Sequence, residues 1–260
     1  MTTAKTGERM VPELYRSEAD YILYLRHLFA YETAAARLRR SDAVLDIGCG
    51  AGYGTSILSR HSQHAIGVDV SASAVQSATA AYGSEVCSFS TYDGTRVPFA
   101  DGRFGAATSF QTLEHVSADE QFVADAARVL KRGGLFVLTT PNRTTRLREN
   151  QPPWNRFHVR EYSSRQLESL LAAHFTTVDL LGVRASARIE AIENARVESA
   201  QRLVSLDPLG LRRLAAPVAA WLARLRPAPA SATWPHHVED FYATAEQRDA
   251  GCDLLAVCRR

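Results

Sequence analysis

Short apolar runs alternate with amphipathic stretches through most of the chain. Mostly apolar runs suited to buried strands occupy positions 43–47, 65–70, 86–89, 104–110 and 135–140. Between them, residues 53–60, 72–81 and 118–130 have the pattern of helices. The alternation predicts an α/β fold in which helices cover both faces of a parallel sheet.

Helical patterns also flank this alternating region. Tyr21, Leu25 and Phe29 recur at helical spacing, Leu38 continues the stripe, and Ser17 is a plausible helix start. After the fifth strand we expect a helix at 163–174, a strand at 176–183, helices at 189–206 and 209–225, and a last strand at 253–258. The predicted organisation is a helical arm and lid over 1–40, a core over 41–187, a helical insertion over 188–235 and a closing segment over 236–260.

Two local patterns carry further expectations. Lys131 and Arg132 precede Gly133 and Gly134, which is typical of a helix end with cations in its last turn. His236 belongs to a short segment of metal-ligand composition, but its place beside a proline-rich stretch favours solvated side chains.

Composition and charge exclude several classes. With 46% apolar and 22% charged residues, the 260-residue chain is globular rather than disordered. It has no apolar run of about 18 residues and no apolar segment of secretory type near its start, so we expect no membrane span. Its four cysteines lack CxxC spacing, which favours a reducing cytoplasm. The net charge of +2 is too balanced for a general nucleic-acid binder.

A glycine-rich turn follows the first predicted strand, where residues 46–54 read DIGCGAGYG. Glycines let the chain turn tightly and approach a ligand closely. The dinucleotide fingerprint G-x-G-x-x-G/A fails in both registers, because it would need glycine or alanine at Tyr53 or Thr55. Asp46 would also repel a pyrophosphate, whereas it suits a ligand with a cationic ammonium group.

A second acid ends the next strand. Asp69 precedes Val70 and stands 19 residues beyond Gly50, a position from which a carboxylate accepts hydrogen bonds from ribose hydroxyls. The two acids and the glycines together predict a nucleoside ligand that has no phosphates and carries a positively charged amino-acid end.

The run Asp-x-Gly-x-Gly-x-Gly, followed by Gly67-x-Asp69, resembles class I S-adenosylmethionine-dependent methyltransferases. Ordered motifs at 91–99, 110–116 and 126–134 extend the resemblance over about 42–141. It implies a Rossmann-like, seven-stranded mixed sheet with an antiparallel last strand, S-adenosylmethionine as cofactor and S-adenosylhomocysteine as product. One departure is Gly105 after Phe104, where the family often has aspartate.

The resemblance also implies cofactor contacts. The methionine moiety would lie against Gly48, Gly50 and Gly52, the ribose against Asp69, and the adenine amine against Asp93 with Gly94 beside it; Gln111 would lie beside the cofactor. From the arm and its helix, Arg9 or Arg26 would meet the methionine carboxylate.

Two histidines are candidate bases for the acceptor. His115 follows the fourth strand and His158 follows the fifth, and an unperturbed histidine can accept a hydroxyl proton near neutral pH. His158 lies among arginines and aromatics that could stack a sugar ring. Alternatively, Glu114 and His115 could hold a divalent cation, as in some quinone-type methyltransferases of this fold. Gln111 replaces their further carboxylate, so no metal is expected.

A narrower resemblance concerns residues 6–12, 140–143 and 155–161. These segments are similar to a bacterial subgroup that includes mycobacterial methyltransferases linked to methylglucose lipopolysaccharide. That similarity implies a saccharide or glycolipid hydroxyl as acceptor, methylated by in-line transfer. The alternatives are a natural-product or quinone methyltransferase, a nicotinamide-dependent oxidoreductase and a non-catalytic module of the same fold. The sequence indicates no oligomeric state.

Overall fold

The computed structural model describes Tyr15, residues 17–205 and residues 234–260. Its helices are α1 (Glu18–Ala35), α2 (Tyr53–Ser59), α3 (Ala72–Tyr82), α4 (Asp119–Val129), α5 (Arg143–Arg146), α6 (Ser164–Ala172) and α7 (Ala187–Ser205). Its strands are β1 (Ala43–Ile47), β2 (His64–Asp69), β3 (Cys87–Thr91), β4 (Phe104–Phe110), β5 (Leu130–Pro141), β6 (Thr177–Ala185), β7 (Phe241–Thr244) and β8 (Asp253–Arg259).

The strands form one mixed sheet in the order β3-β2-β1-β4-β5-β8-β6-β7. The five strands from β3 to β5 are parallel, whereas β8 runs antiparallel to both β5 and β6. This arrangement confirms the Rossmann-like mixed sheet with an antiparallel last strand. Within the described residues the sheet has eight strands rather than seven, because the four residues of β7 add an edge strand beside β6.

Helices cover both faces of the sheet, as predicted. On one face, Phe122 and Val123 of α4 and Leu167 of α6 pack against inward-pointing strand residues such as Leu45. On the other face, α1 and α7 join a second apolar cluster that includes Val44. Adjacent residues of β1 thus point to opposite faces, and both faces are buried, which explains why the strands are continuous apolar runs.

The predicted helix over 118–130 is wrong at its C-terminal end. Helix α4 ends at Val129, and Leu130 already pairs with Phe104 as the first residue of β5. Pairing resumes only at Leu135 opposite Ala106, so Lys131, Arg132 and the two glycines form a bulge in the strand. Gly133 has a φ of +72°, a backbone conformation that favours glycine and lets the chain bulge there.

Helix α1 begins where the sequence predicts. The Ser17 hydroxyl accepts a hydrogen bond from the Asp20 backbone N–H at 3.1 Å, which caps the helix. Leu38 lies beyond its last residue, Ala35. None of the described helices is long and apolar enough to cross a membrane.

The predicted insertion is described only in part. Helix α7 covers its first segment, and the helix expected at 209–225 lies outside the described residues. Beyond that gap, His236 is buried rather than solvated, because its Nε2 lies 2.8 Å from Glu18 Oε1 of α1.

The departure at Gly105 has a local explanation. A Cβ at this position would lie 2.2 Å from Oδ1 of Asp42, so that carboxylate occupies the space that a side chain at position 105 would take. An aspartate there would also place two negative charges side by side.

Candidate active site at the carboxyl edge of the sheet

The glycine-rich turn lies between β1 and α2. Gly48, Gly50 and Gly52 all have positive φ values, of +82°, +53° and +83°. A Cβ added at Gly50 would meet nothing within 4 Å, whereas at Gly48 it would lie 2.3 Å from Thr112 Oγ1 and at Gly52 2.5 Å from Ala78 Cβ. Gly50 is therefore the glycine that faces open space, while the other two let the turn pack against neighbouring protein.

Asp46 points into the protein. Its carboxylate is fully buried and accepts hydrogen bonds from the hydroxyls of Thr55, Thr108 and Tyr31, at 2.7, 2.9 and 3.2 Å. Burial raises its pKa to about 6. The expectation of direct contact with a ligand's ammonium group is corrected, because the side chain presents no surface to a ligand in this arrangement.

Asp69 joins the glycine turn to the start of α3. Its Oδ2 accepts the Gly50 N–H at 3.0 Å and its Oδ1 accepts the Ser71 N–H at 2.8 Å. A carboxylate oxygen has two lone pairs, so each oxygen keeps one for a ribose hydroxyl. The next residue, Val70, is 42% exposed at the same edge.

Asp93 begins a tight turn after β3. Its Oδ1 accepts the Thr95 N–H and hydroxyl at 2.9 and 2.6 Å and the Arg96 N–H at 3.3 Å, and these bonds lower its pKa. Gly94 has a φ of +80°, which fits a turn of this kind. The proposed contact of this exposed turn with an adenine amine stays a prediction.

Arg26 is not available to a methionine carboxylate. It is 4% exposed and lies between two acids, with NH1 3.2 Å from Glu193 Oε2 of α7 and Nε 2.9 Å from Asp253 Oδ2 of β8. The expectation for this residue is corrected, since two buried carboxylates already balance its charge. Arg9, the other candidate, lies outside the described residues.

Gln111 is strained and firmly held. It has a φ of +51°, which is uncommon for a residue other than glycine. Its Nε2 donates to Asp253 Oδ2 at 3.0 Å, and its backbone N–H donates to the Thr139 carbonyl at 3.0 Å. These bonds fix the turn after β4 at the carboxyl edge, next to Thr112 and Gly48.

The two predicted bases meet at this edge. His115 belongs to a 3-10 turn, Leu113–His115, and its ring contacts that of His158 edge to face, with centroids 4.9 Å apart. The segment that carries His158 is attached to the turn by the Val159 N–H, which donates to the Glu114 carbonyl at 2.7 Å. The connection that follows β5 thus brings Phe157 and His158 next to His115, which precedes them by 42 positions or more in the sequence.

Hydrogen bonds distinguish the two histidines. Nδ1 of His115 lies 3.0 Å from the Phe157 carbonyl oxygen. Because a carbonyl only accepts, Nδ1 carries a proton, so in the neutral ring the lone pair is on Nε2. Nδ1 of His158 lies 2.8 Å from Glu161 Oε1, and Nε2 lies 2.8 Å from the amide nitrogen of Asn155. Both nitrogens of His158 therefore already have protein partners.

Acidic groups surround this pair. Glu114 is 1% exposed and accepts from the Thr140 hydroxyl at 3.0 Å; burial raises its pKa to about 7. Glu161 also accepts two bonds from the Arg146 guanidinium, at 3.0 and 3.3 Å, and the partners His158 and Arg146 lower its pKa against the opposing effect of burial.

Glu114, His115 and His158 offer potential metal-ligand atoms within 4.8 Å of one another. A three-ligand site would require a ring nitrogen of His158 to leave its present partner, which is Glu161 at Nδ1 and the amide of Asn155 at Nε2. Its orientation is fixed, because its Oδ1 accepts the Phe157 N–H at 3.0 Å.

Several contacts of the site escaped the sequence analysis. Thr55, Thr108 and Tyr31 surround Asp46, and Asn155, Glu161 and Arg146 surround His158. The last group had a signal, since Asn155 and Glu161 lie in the segment 155–161 that resembles the bacterial subgroup. The hydroxyls around Asp46 come from three separate elements, and no sequence spacing connects them.

Comparison with known proteins identifies the family. A profile described as "Methyltransferase domain" matches residues 45–138. A probable S-adenosylmethionine-dependent methyltransferase of Mycolicibacterium smegmatis is 35% identical over 179 residues, 68% of this chain and 67% of that protein. A second, from Mycobacterium tuberculosis, is 34% identical over 180 residues, 68% of this chain and 63% of that protein. The chain belongs to the class I S-adenosylmethionine-dependent methyltransferases.

Solved structures show the same fold. A methyltransferase from Thermotoga maritima has a TM-score of 0.56 and 16% identity, with 93% of each chain covered. The YcgJ protein of Bacillus subtilis has a TM-score of 0.52 and 22% identity, covering 69% of this chain and 82% of that one. The profile and the relatives, rather than these structures, show that the chain is an enzyme that uses S-adenosylmethionine, and the nicotinamide alternative has no support.

The carboxyl edge fits this cofactor. At Gly50 the backbone borders open space that a larger side chain would fill, and the Asp69 carboxylate next to it retains acceptor capacity. These two residues would hold the methionine and ribose parts, close to the turn that carries His115.

Proposed function

We propose that the enzyme methylates a hydroxyl group of a saccharide or glycolipid and that His115 accepts the hydroxyl proton. The observation that carries the proposal is the bond between His115 Nδ1 and the Phe157 carbonyl, which leaves the lone pair of the ring on Nε2. A base of this kind contributes about 10²–10⁴-fold to a rate.

The surroundings of His115 suit this role. Oε1 of Glu114 lies 4.0 Å from Nε2, so this carboxyl group, when it is ionised above its raised pKa of about 7, stabilises the imidazolium that forms when the proton arrives. His158 packs edge to face against the ring and is itself held by Asn155 and Glu161, which makes it a positioning residue rather than a second base.

The cofactor supplies a methyl group that its positive sulfur already activates. The main task of the protein is to align the acceptor oxygen with that methyl group and to exclude water. His115 then takes the proton at Nε2, and the buried acids around it keep the charge balanced.

The saccharide acceptor rests on two kinds of support. The segment 155–161, which carries His158 and Asn155, resembles the glycan-associated bacterial subgroup, and its arginines and aromatics are suited to a sugar ring. Arg146 stacks on Trp154 at 4.4 Å from the ring centroid, and Arg156 stacks on Phe157 at 4.5 Å.

A cytoplasmic location and the domain division at 40, 187 and 235 stay predictions.

A second candidate is O-methylation of a small aromatic molecule. The ubiquinone biosynthesis O-methyltransferase of Maricaulis maris is 28% identical over 106 residues, 40% of this chain and 42% of that protein. This match favours a phenolic acceptor, but it leaves out most of the chain.

The test is methyl transfer from radiolabelled S-adenosylmethionine to neutral saccharides, glycolipid extracts and phenols. We expect transfer to a saccharide hydroxyl. His115→Ala should lower turnover by about 10²-fold or more, while calorimetry finds unchanged affinity for S-adenosylhomocysteine. His158→Ala should lower turnover less and shift its pH dependence. Transfer to phenols alone would refute the saccharide acceptor, and normal turnover of H115A would refute the base.

A further inference from the structure

A cavity of about 260 Å³ lies between α5, β6, α7 and the 3-10 turn Arg248–Ala250. Its charged walls come from Arg26, Arg146, Arg184, Glu190 and Glu193, with the Asn194 amide among them. Pockets for drug-sized ligands measure about 300–1,000 Å³, so this one has room for a single ring-sized group. Neither the glycine turn nor Asp69 lines it.

The guanidinium groups in the wall already have carboxylate partners. Arg26 lies beside Glu193 and Asp253, Arg146 beside Glu161, and NH2 of Arg184 donates to Glu190 Oε2 at 2.9 Å. An anion would have to compete with these carboxylates for the arginines. A neutral ligand can use the remaining N–H groups and carboxylate lone pairs without breaking a pair.

The chemistry of this wall matches a ring with several hydroxyls. Each hydroxyl both donates and accepts, so it can bridge a guanidinium and a carboxylate that are already paired. Ile189, Val197 and Ala250 add an apolar part on which the C–H face of such a ring can pack.

The cavity is connected to the two histidines of the site through one side chain, that of Arg146. Arg146 lines it and also binds Glu161, which accepts from His158 Nδ1 at 2.8 Å. A ligand in the cavity therefore contacts the network that holds the histidines.

We propose that this cavity is an acceptor subsite for one neutral, polyhydroxylated ring, such as a hexopyranose unit close to the methylated hydroxyl. The assignment rests on the proposed function, which it deepens by requiring an uncharged sugar unit in this cavity. The cavity selects neutral rings over charged ones because each guanidinium group in its wall is already paired with a carboxylate. Such pairs can bind hydroxyl groups, but they offer no unpaired cation to a ligand's carboxylate.

The test uses saturation-transfer NMR on protein saturated with S-adenosylhomocysteine. Methyl α-D-glucopyranoside is the neutral probe and D-glucuronate its charged counterpart. We expect the neutral probe to bind and the charged one to bind at least about fivefold more weakly. Val197→Phe, which fills the cavity, should weaken the neutral probe by about fivefold or more. Leu203→Phe is the matched control, since Leu203 lies exposed on the same helix and does not line the cavity.

A second variant tests the charge argument with little change of shape. Glu190→Gln leaves Arg184 without its carboxylate, so D-glucuronate should gain affinity relative to the neutral probe. Equal binding in V197F and wild type, tighter binding of D-glucuronate by wild type, or no change of preference in E190Q would overturn the subsite. These three outcomes would refute the subsite but would not contradict the proposed function. The proposed function itself is contradicted by a protein that fails to bind S-adenosylhomocysteine or to methylate any saccharide.

Discussion

At the residue scale, two buried acids of the site have pKa values well above those of exposed carboxyl groups. Asp46 and Glu114 are 0% and 1% exposed, and burial is the largest cause that raises each pKa, to about 6 and about 7. Hydrogen bonds from hydroxyls oppose this shift without cancelling it. Both groups therefore hold a proton at a pH where an exposed carboxyl group would be ionised.

This difference predicts a pH-dependent stability. Glu114 binds its proton more tightly in the folded protein, so its contribution to stability is present below pH 4.5 and is lost as pH rises to about 7. Glu114→Gln does not titrate. We expect the variant to gain stability relative to wild type between pH 5 and pH 8, by on the order of a few kcal/mol. Urea unfolding at pH 5 and pH 8 measures the difference in the free energy of unfolding between the variant and wild type. A difference that is the same at both pH values would contradict the raised pKa of Glu114.

Individual residues of the site differ in how well the sequence alone could predict their roles. The glycine turn, Asp69 and His115 stand at strand ends, where a local pattern marks them. The roles of Asp46, Arg26 and His158 depended on partners such as Thr108, Glu193 and Asn155 in other elements. Sequence spacing predicted that these three side chains matter, but not which atoms they face.

At the element scale, Arg26 holds three elements together. It lies on α1, and its two carboxylate partners lie on α7 and β8. Through Asp253 the same group supports Gln111, whose amide donates to Oδ2. The arm helix is therefore tied to the carboxyl edge by charge as well as by its apolar face.

We predict that Arg26→Ala destabilises the protein by about 3–5 kcal/mol, because it leaves the buried carboxylate of Asp253 without a cationic partner and Glu193 with Arg196 alone. Its affinity for S-adenosylhomocysteine, measured by calorimetry under folding conditions, should stay close to wild type. Arg196→Ala is the control: Arg196 also pairs with Glu193 but is about one third exposed, so its loss should cost less. Full stability with a large loss of affinity would instead support the expected contact with the methionine carboxylate.

Element boundaries were predictable where periodicity was strong. The limits of β1 and β4 agree with the apolar runs, and the Ser17 cap fixed the start of α1. The start of β5 was missed because Lys131, Arg132 and two glycines look like a helix end, yet sheet pairing at Leu130 takes precedence. Strand β7 has only four residues and owes its existence to pairing with β6.

At the scale of the whole molecule, the part that carries the cofactor motifs and the part that we propose binds the acceptor differ in how far they could be predicted from the sequence. The half over 42–141 repeats a strand–turn–helix pattern with glycines and acids at the strand ends, so the sequence alone indicated its ligand. The proposed acceptor region brings together α1, α5, α7 and β8 from distant parts of the chain. Its cavity and its paired charges follow from that packing.

We propose that Gly50 and Asp69 hold the cofactor at the carboxyl edge, beside His115. Calorimetric titration of S-adenosylhomocysteine into wild type, Gly50→Val and Asp69→Ala tests it most directly, with circular dichroism to establish that each variant is folded. We predict one bound molecule for wild type and affinities at least about tenfold weaker for both variants. Wild-type affinity in folded variants would contradict the claim.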